Sequence, residues 1–334
     1  MRYVDGTFTI GGTDNATNQV GGAGSTCVEE VEFSAYDNFY TSVPGKSVLL
    51  SQGYYRDRND VLTTANQLMA NDTLPEIVLE SITTPAVDPF EVVLDENTTF
   101  AAYDLRQYGL VDLSGNSAGY TGSELEKIYN IFGYEPSSQT DEQGMFDSFS
   151  FSAQGNIVSE HTVPTLASSF QAEEGACDLA QRLMNAITSV HAAGDGDRRC
   201  ANGVGSVAFV HVDGADGQEV IHIDVPFEDE EGFDAFAILK ESFLEWRALN
   251  PCTEDDSTGI NTTQTIMLGE GATEETTMPG EDSSEETTMP DNDAPEEDAF
   301  EESPSSTAHH QSPYQGFAFV AAISIILIAS GFFW

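Results

Sequence analysis

Residues Ser206–Val225 read SVAFVHVDGADGQEVIHIDV, two alternating apolar runs on either side of a Gly/Asp turn. Period-two alternation of this kind marks half-buried strands. Asp216-Gly217 suits the centre of a two-residue type I′ turn. With that turn, Val212 faces Ile221 and His211 faces His222. One side of the hairpin then carries Ala208, Val210, Val212, Ile221, Ile223 and Val225, a core-like set. The other side carries Phe209, His211, Asp213, Val220, His222 and Asp224. His211, His222, Asp213 and Asp224 are therefore candidate ligands for a divalent or ferric ion, with neutral imidazoles and ionised carboxylates as donors. The expectation depends on register, because a slip of one residue separates the two histidines.

Helical periodicity flanks the hairpin. Glu173–Ala192 places Ala176, Leu179, Leu183, Ile187 and Val190 on one face and meets a stop signal at Gly194. Glu231–Leu249 does the same with Phe236, Leu239, Phe243 and Trp246. Upstream, candidate strands are Val28–Ala35, Ser47–Tyr55, Glu76–Ile82, Phe90–Leu94, Phe100–Leu105 and Phe146–Ser152, separated by Gly, Pro, Asn and Asp. Gln154-Gly155-Asn156 is expected to turn the last of these back onto Ile157–Val163. Ser123 and Glu126 form a capping box for one helix with Leu125, Ile128, Tyr129 and Phe132 on its apolar stripe. The fold class expected is α+β, mainly antiparallel β in the first two-thirds and helix–hairpin–helix at the end. The folded part is expected to cover residues 1–252, with a sub-boundary near 165–172.

The chain has 334 residues, 57 of them acidic and 11 basic, for a formal charge of −46. Such a surface repels phosphate, so nucleic acid is excluded as a partner, and it attracts cations. Cys27, Cys177, Cys200 and Cys252 form no C-x-x-C pair, which argues against a zinc ribbon or a thioredoxin-like site. Two disulfides are expected, Cys177–Cys200 across a helix and its following loop, and Cys27–Cys252 across the two ends of the domain.

Beyond Cys252 the composition changes. Glu254–Glu302 holds 17 Asp and Glu and no Lys or Arg, with EETTMP at Glu274–Pro279 and again at Glu285–Pro290. A segment so poor in apolar residues is expected to remain a disordered acidic stalk, residues 253–316. Phe317–Trp334, FAFVAAISIILIASGFFW, is uncharged and 18 residues long, about the minimum for a membrane-crossing helix. No basic flank follows it. Small residues at Ser305, Ser306 and Thr307 precede a ten-residue spacer, the pattern of a glycolipid-anchor signal. The expectation is a C-terminal hydrophobic helix or anchor signal with the membrane as a partner. Asn15, Asn71, Asn97 and Asn261 each stand in a glycosylation sequon. The opening MRYVDGTFTIGG lacks the apolar core of a signal peptide. A cell-surface location is expected, with a cytosolic tail-anchored protein as the alternative.

Gly115-Asn116-Ser117-Ala118-Gly119 fits G-x-S-x-G, which in α/β-hydrolases exposes a serine nucleophile on a strand-to-helix turn. Here the capped helix begins too late for that elbow, and no βαβ alternation surrounds it. Asp195-Gly196-Asp197 and Asp213–Asp224 fail as calcium loops. The leading expectation is a non-enzymatic, membrane-anchored surface glycoprotein binding an extracellular protein, glycan or cation. The alternatives are metal-ion capture through carboxylates and the histidine pair, and a serine esterase using Ser117.

Overall fold

A computed structural model describes residues 6–28, 33–54, 56–132, 140–172, 176–196, 200, 205–229 and 233–252. Among these residues twelve strands build two antiparallel sheets and a small hairpin. The larger sheet holds β1 (Thr7–Asp14), β2 (Gln19–Thr26), β9 (Thr140–Phe146), β10 (Phe149–Asn156), β11 (Val207–Asp213) and β12 (Glu219–Val225), in the order β12-β11-β2-β1-β10-β9. The smaller sheet holds β3 (Tyr40–Val43), β4 (Ser47–Gly53), β7 (Arg106–Asp112) and β8 (Ser117–Thr121), in that order. The separate hairpin is β5 (Glu91–Asp95) with β6 (Thr98–Ala101).

The two sheets face each other, and helices cover both outer faces. Helices α5 (Thr162–Gln171), α6 (Leu179–Ala193) and α7 (Ala235–Leu249) lie on the larger sheet. Phe8, Ile10, Phe151 and Val210 pack there against Leu183, Ile187, Phe170 and Phe236. Helices α2 (Asn59–Ala70) and α3 (Pro75–Ile82) lie on the smaller sheet, where Val61, Val78 and Ile82 meet Leu49, Tyr108 and Leu110. A short helix α1 (Ala35–Phe39) leads into β3, and α4 (Leu125–Phe132) follows β8. The predicted α+β class and helix–hairpin–helix order therefore hold within the described residues. Asp178 and Asp234 cap the two helices by accepting from backbone amides, and Gly194 ends α6 in the left-handed conformation that glycine adopts without penalty.

Between the sheets a largely buried polar network lies beside an apolar cluster that includes Val48, Leu50, Val111 and Phe209. Thr9 Oγ1 donates to Gln52 Oε1 (3.0 Å), the Gln52 amide donates to Gln107 Oε1, and Gln107 Nε2 donates to Thr121 Oγ1 (3.0 Å) and to the Gly155 carbonyl (3.2 Å). Gly109 has no room for a side chain because the Gln154 amide fills the space its Cβ would occupy. At the edge of this layer Arg106 is buried with Asp88, bonded through Nε (2.6 Å) and Nη2 (3.1 Å). Its Nη1 also donates to the carbonyls of Tyr54 and Arg56. Charge and desolvation are thus compensated on every side, which a buried ion pair requires.

Several local expectations change. Pro75–Ile82, expected as a strand from Glu76, is a helix with Pro at its first turn, buried through Val78, Leu79 and Ile82. Gln154-Gly155-Asn156 is no turn but the end of β10, which pairs with β9 through the turn at Asp147-Ser148. Thr162–Gln171 is helical rather than the return strand of that hairpin. Ala35, expected to end a strand, begins α1. The disulfides are Cys27–Cys200 and Cys177–Cys252, with Cα separations of 5.4 and 5.8 Å, not the expected pairing. The first joins the end of β2 to the chain entering β11. The second joins the start of α6 to the residues after α7, beside a bidentate Arg247–Asp178 contact with both bonds at 2.8 Å.

Candidate metal centre

The hairpin forms in the predicted register over most of its length: Ala208↔Val225, Val210↔Ile223, His211↔His222 and Val212↔Ile221. The next pair is Asp213↔Glu219, so Val220 is an extra residue in β12. A bulge of this kind rotates the side chains beyond it. Here it brings Glu219 to the face that carries His222. A regular alternation would place Glu219 on the opposite side, which is why the sequence pattern missed it. His211, Glu219 and His222 now offer ligand atoms within 4.8 Å of one another. These three residues could coordinate a metal ion.

Their environments differ. His211 is buried (3 % exposed), whereas Glu219 and His222 are exposed. His211 Nδ1 lies 3.1 Å from His222 Nδ1, and His211 Nε2 lies 2.9 Å from Asp213 Oδ1. An ionised carboxylate can only accept, so the proton of neutral His211 belongs on Nε2 and the lone pair on Nδ1. That lone pair accepts from Nδ1–H of His222 in this structure, a proton that a shared metal ion would replace. Two imidazole nitrogens about 2.0–2.1 Å from a common metal lie roughly 3.0–3.4 Å apart, so the observed spacing already matches a ligand bite.

Asp213 is held from the other sheet. Tyr40 Oη (3.0 Å) and Ser42 Oγ (2.6 Å) both donate to its Oδ2. Burial opposes its ionisation, but the hydrogen bonds from His211, Ser42 and Tyr40 together hold its carboxyl below the usual range. Asp224 behaves oppositely. Burial raises its carboxyl, against the hydrogen bonds from Ser34 and the Tyr36 amide. Asp224 therefore anchors the start of α1 rather than joining the three ligand groups. Tyr36 and Tyr40 stack one helical turn apart, centroids 5.1 Å, and the Tyr36 ring lies 4.8 Å from His211 and 4.4 Å from His222. Burial, then the surrounding carboxylates, push the Tyr36 phenol up, so it stays protonated. Gly22, opposite His211 in β2, gives this cover its closeness: a Cβ there would come within 3.1 Å of the Tyr40 ring.

The fold and this cluster lie within a stretch with known relatives. Residues 7–232 match the sequence model of a family of unknown function, DUF1028. The chain belongs to this family. A crystal structure of a DUF1028 protein from Silicibacter pomeroyi matches with a TM-score of 0.52 at 17 % identity, covering 72 % of this chain and 86 % of that one. At that identity the likeness concerns the fold. No curated protein matches the chain.

The DUF1028 domain, with its carboxylate–imidazole cluster, replaces the expectation of a membrane-anchored surface glycoprotein. Among the described residues no helix is long and apolar enough to cross a membrane. The expected C-terminal helix, the membrane partner and attachment on either face of a bilayer consequently lack structural support. The acidic stalk, Asn261, the sites at Ser305 and Ser306 and the segment Phe317–Trp334 lie outside the described residues. Asn15, Asn71 and Asn97 are exposed, and nothing beyond that exposure supports glycosylation. Ser117 is the first residue of β8, paired with Val111 in an antiparallel ladder rather than raised on a strand-to-helix elbow.

Proposed function

We propose that this DUF1028 domain binds a divalent transition-metal ion through His211, Glu219 and His222, as a metal-capture or metal-sensing module rather than an enzyme. The observation that carries the reading is the pair of Nδ1 atoms 3.1 Å apart, one of them oriented by a buried carboxylate. Two imidazoles and one carboxylate suit zinc, cobalt, nickel, copper or ferrous iron better than calcium or magnesium, which prefer all-oxygen shells. An overall charge of −46 favours cation capture. The exposed side of the cluster leaves coordination positions to water.

The test is equilibrium dialysis of the full chain against cobalt(II) or zinc(II), with metal content measured afterwards. One equivalent is expected to be retained. His211→Ala and His222→Ala are each expected to lower affinity by two orders of magnitude or more with the far-ultraviolet circular dichroism unchanged, since each removes one of three protein ligands. A wild-type chain that retains no metal at micromolar concentrations would overturn the reading, and so would histidine variants that bind as tightly as wild type.

A further inference from the structure

The metal reading leaves the hydroxyls of Tyr40 and Ser42 unexplained. They belong to β3, in the smaller sheet, yet both end on Asp213 of the larger sheet. Their arrangement has a direction. Oδ2 of Asp213 is loaded with the two hydroxyl donors, and Oδ1 is aimed at His211 Nε2. The carboxylate cannot rotate without breaking charge-assisted bonds in a largely dry setting, where Tyr40 and Asp213 are each 8 % exposed. His211 is thereby fixed both in ring orientation and in tautomer. A hydrogen-bonded carboxylate behind a ligating imidazole is the usual outer shell of a metal ligand.

We infer that Tyr40 and Ser42 are positioning residues for the metal centre, acting through Asp213, and that metal occupancy on the larger sheet is coupled to the order of the α1–β3 segment. This rests on the metal reading above and extends it to regulation of the site. The coupling is reciprocal. If the ordered segment improves metal affinity, metal binding stabilises the ordered segment by the same factor. The segment is suited to respond, because α1 is only five residues long and Tyr36 within it, with Ser34 and Tyr40 at its two ends, contacts both strands of the hairpin.

Cobalt(II) is the probe, because its visible spectrum reports ligand geometry separately from affinity. Full-length wild type, Tyr40→Phe, Ser42→Ala and Ser42→Thr are titrated, and amide exchange over residues 35–43 is followed with and without metal. Tyr40→Phe and Ser42→Ala are each expected to weaken binding about tenfold and to shift the cobalt bands. Ser42→Thr, which keeps the hydroxyl, is expected to restore both. Metal is expected to slow exchange in the segment in wild type and to slow it less in Ser42→Ala. Should Tyr40→Phe fail to fold, Ser42→Ala at the partly exposed end decides alone. Wild type that binds cobalt while Ser42→Ala keeps its affinity, spectrum and protection would overturn this inference and leave the metal reading standing. Wild type that binds no cobalt would overturn both.

Discussion

Arg106–Asp88 joins a residue of β7 to the loop before β5, His211–Asp213 lies within β11, and the two ionisable pairs end differently. Arg106 is enclosed: its guanidinium bonds reach Asp88 twice and backbone carbonyls at Tyr54, Arg56 and Asp57. Nothing is left over to meet a ligand. His211 has one nitrogen committed to Asp213 and the other directed at His222, beside exposed Glu219. A polar group enclosed by protein on every side fixes architecture, whereas one whose partner is exposed can exchange that partner for a ligand. The contrast fits a structural role for the first pair and the proposed metal-binding role for the second.

The largest expected effect falls on the enclosed pair. Asp88→Ala leaves Arg106 charged and buried without its partner, and about 3–5 kcal/mol of unfolding free energy should be lost. Urea denaturation checks this, and a loss below about 1 kcal/mol would show that the pair is not the fastener argued here. Separating Cys27 from Cys200 by Cys27→Ser with Cys200→Ser should cost about 2–5 kcal/mol, because the bridge closes a sequence separation of 173. The open cluster should respond to metal instead. Zinc at about one hundred times its dissociation constant should stabilise wild type by about 2.7 kcal/mol. His222→Ala should abolish that gain while moving metal-free stability by only about 0.5 kcal/mol, as an exposed substitution does. Thermal melts with and without zinc would reverse the comparison if His222→Ala were as damaging as Asp88→Ala.

The smallest effect is in acid, and its sign separates the two carboxylates of the hairpin. Asp213 has its folded value depressed, so its contribution is present above the unfolded value, about 3.9, and is lost as pH falls through the lower folded value. Asp224 has its folded value raised, so protonation favours the folded form. Its contribution is present below the unfolded value and is lost as pH rises through the raised one. Asp213→Asn should therefore remove part of the acid-induced loss of stability, and Asp224→Asn part of an opposing gain. Melting temperatures between pH 3 and 7 test this, and identical profiles for the two variants would refute it.

What the sequence made legible follows from where the physics is local. Alternation in Val207–Val212 and Ile221–Val225 fixed the face and the His211–His222 pairing, because apolar residues on the wrong side would lose their core. Gly194 marked a helix end through its own backbone freedom. The bulge at Val220 carried no such mark, so Glu219 was not read as a ligand. Tyr40 and Ser42 lie 173 and 171 positions before Asp213, too far apart for any local pattern to join them. Pro75–Ile82 is rich in β-branched residues, and tertiary burial of Val78, Leu79 and Ile82 overrode that preference. The hairpin of β1 and β2 was missed for another reason: TFTIGGTD (Thr7–Asp14) alternates only through Phe8 and Ile10 before its glycines, and QVGGAGST (Gln19–Thr26) has Val20 as its one large apolar side chain.

That glycine-rich hairpin has a consequence for biosynthesis. In the finished sheet β1 and β2 are central, flanked by β10 and β11 from the far part of the chain. During synthesis they precede both of these neighbours, and their outer edges stay unpaired until residues 149–156 and 207–213 follow. At about 5–20 residues per second the wait for β11 is roughly ten to forty seconds. An exposed edge of valines and isoleucines would recruit other nascent chains during that interval. Gly11, Gly12, Gly21, Gly22 and Gly24 make this pair of strands a poor template on its own, holding its shape only once the rest of the sandwich has arrived.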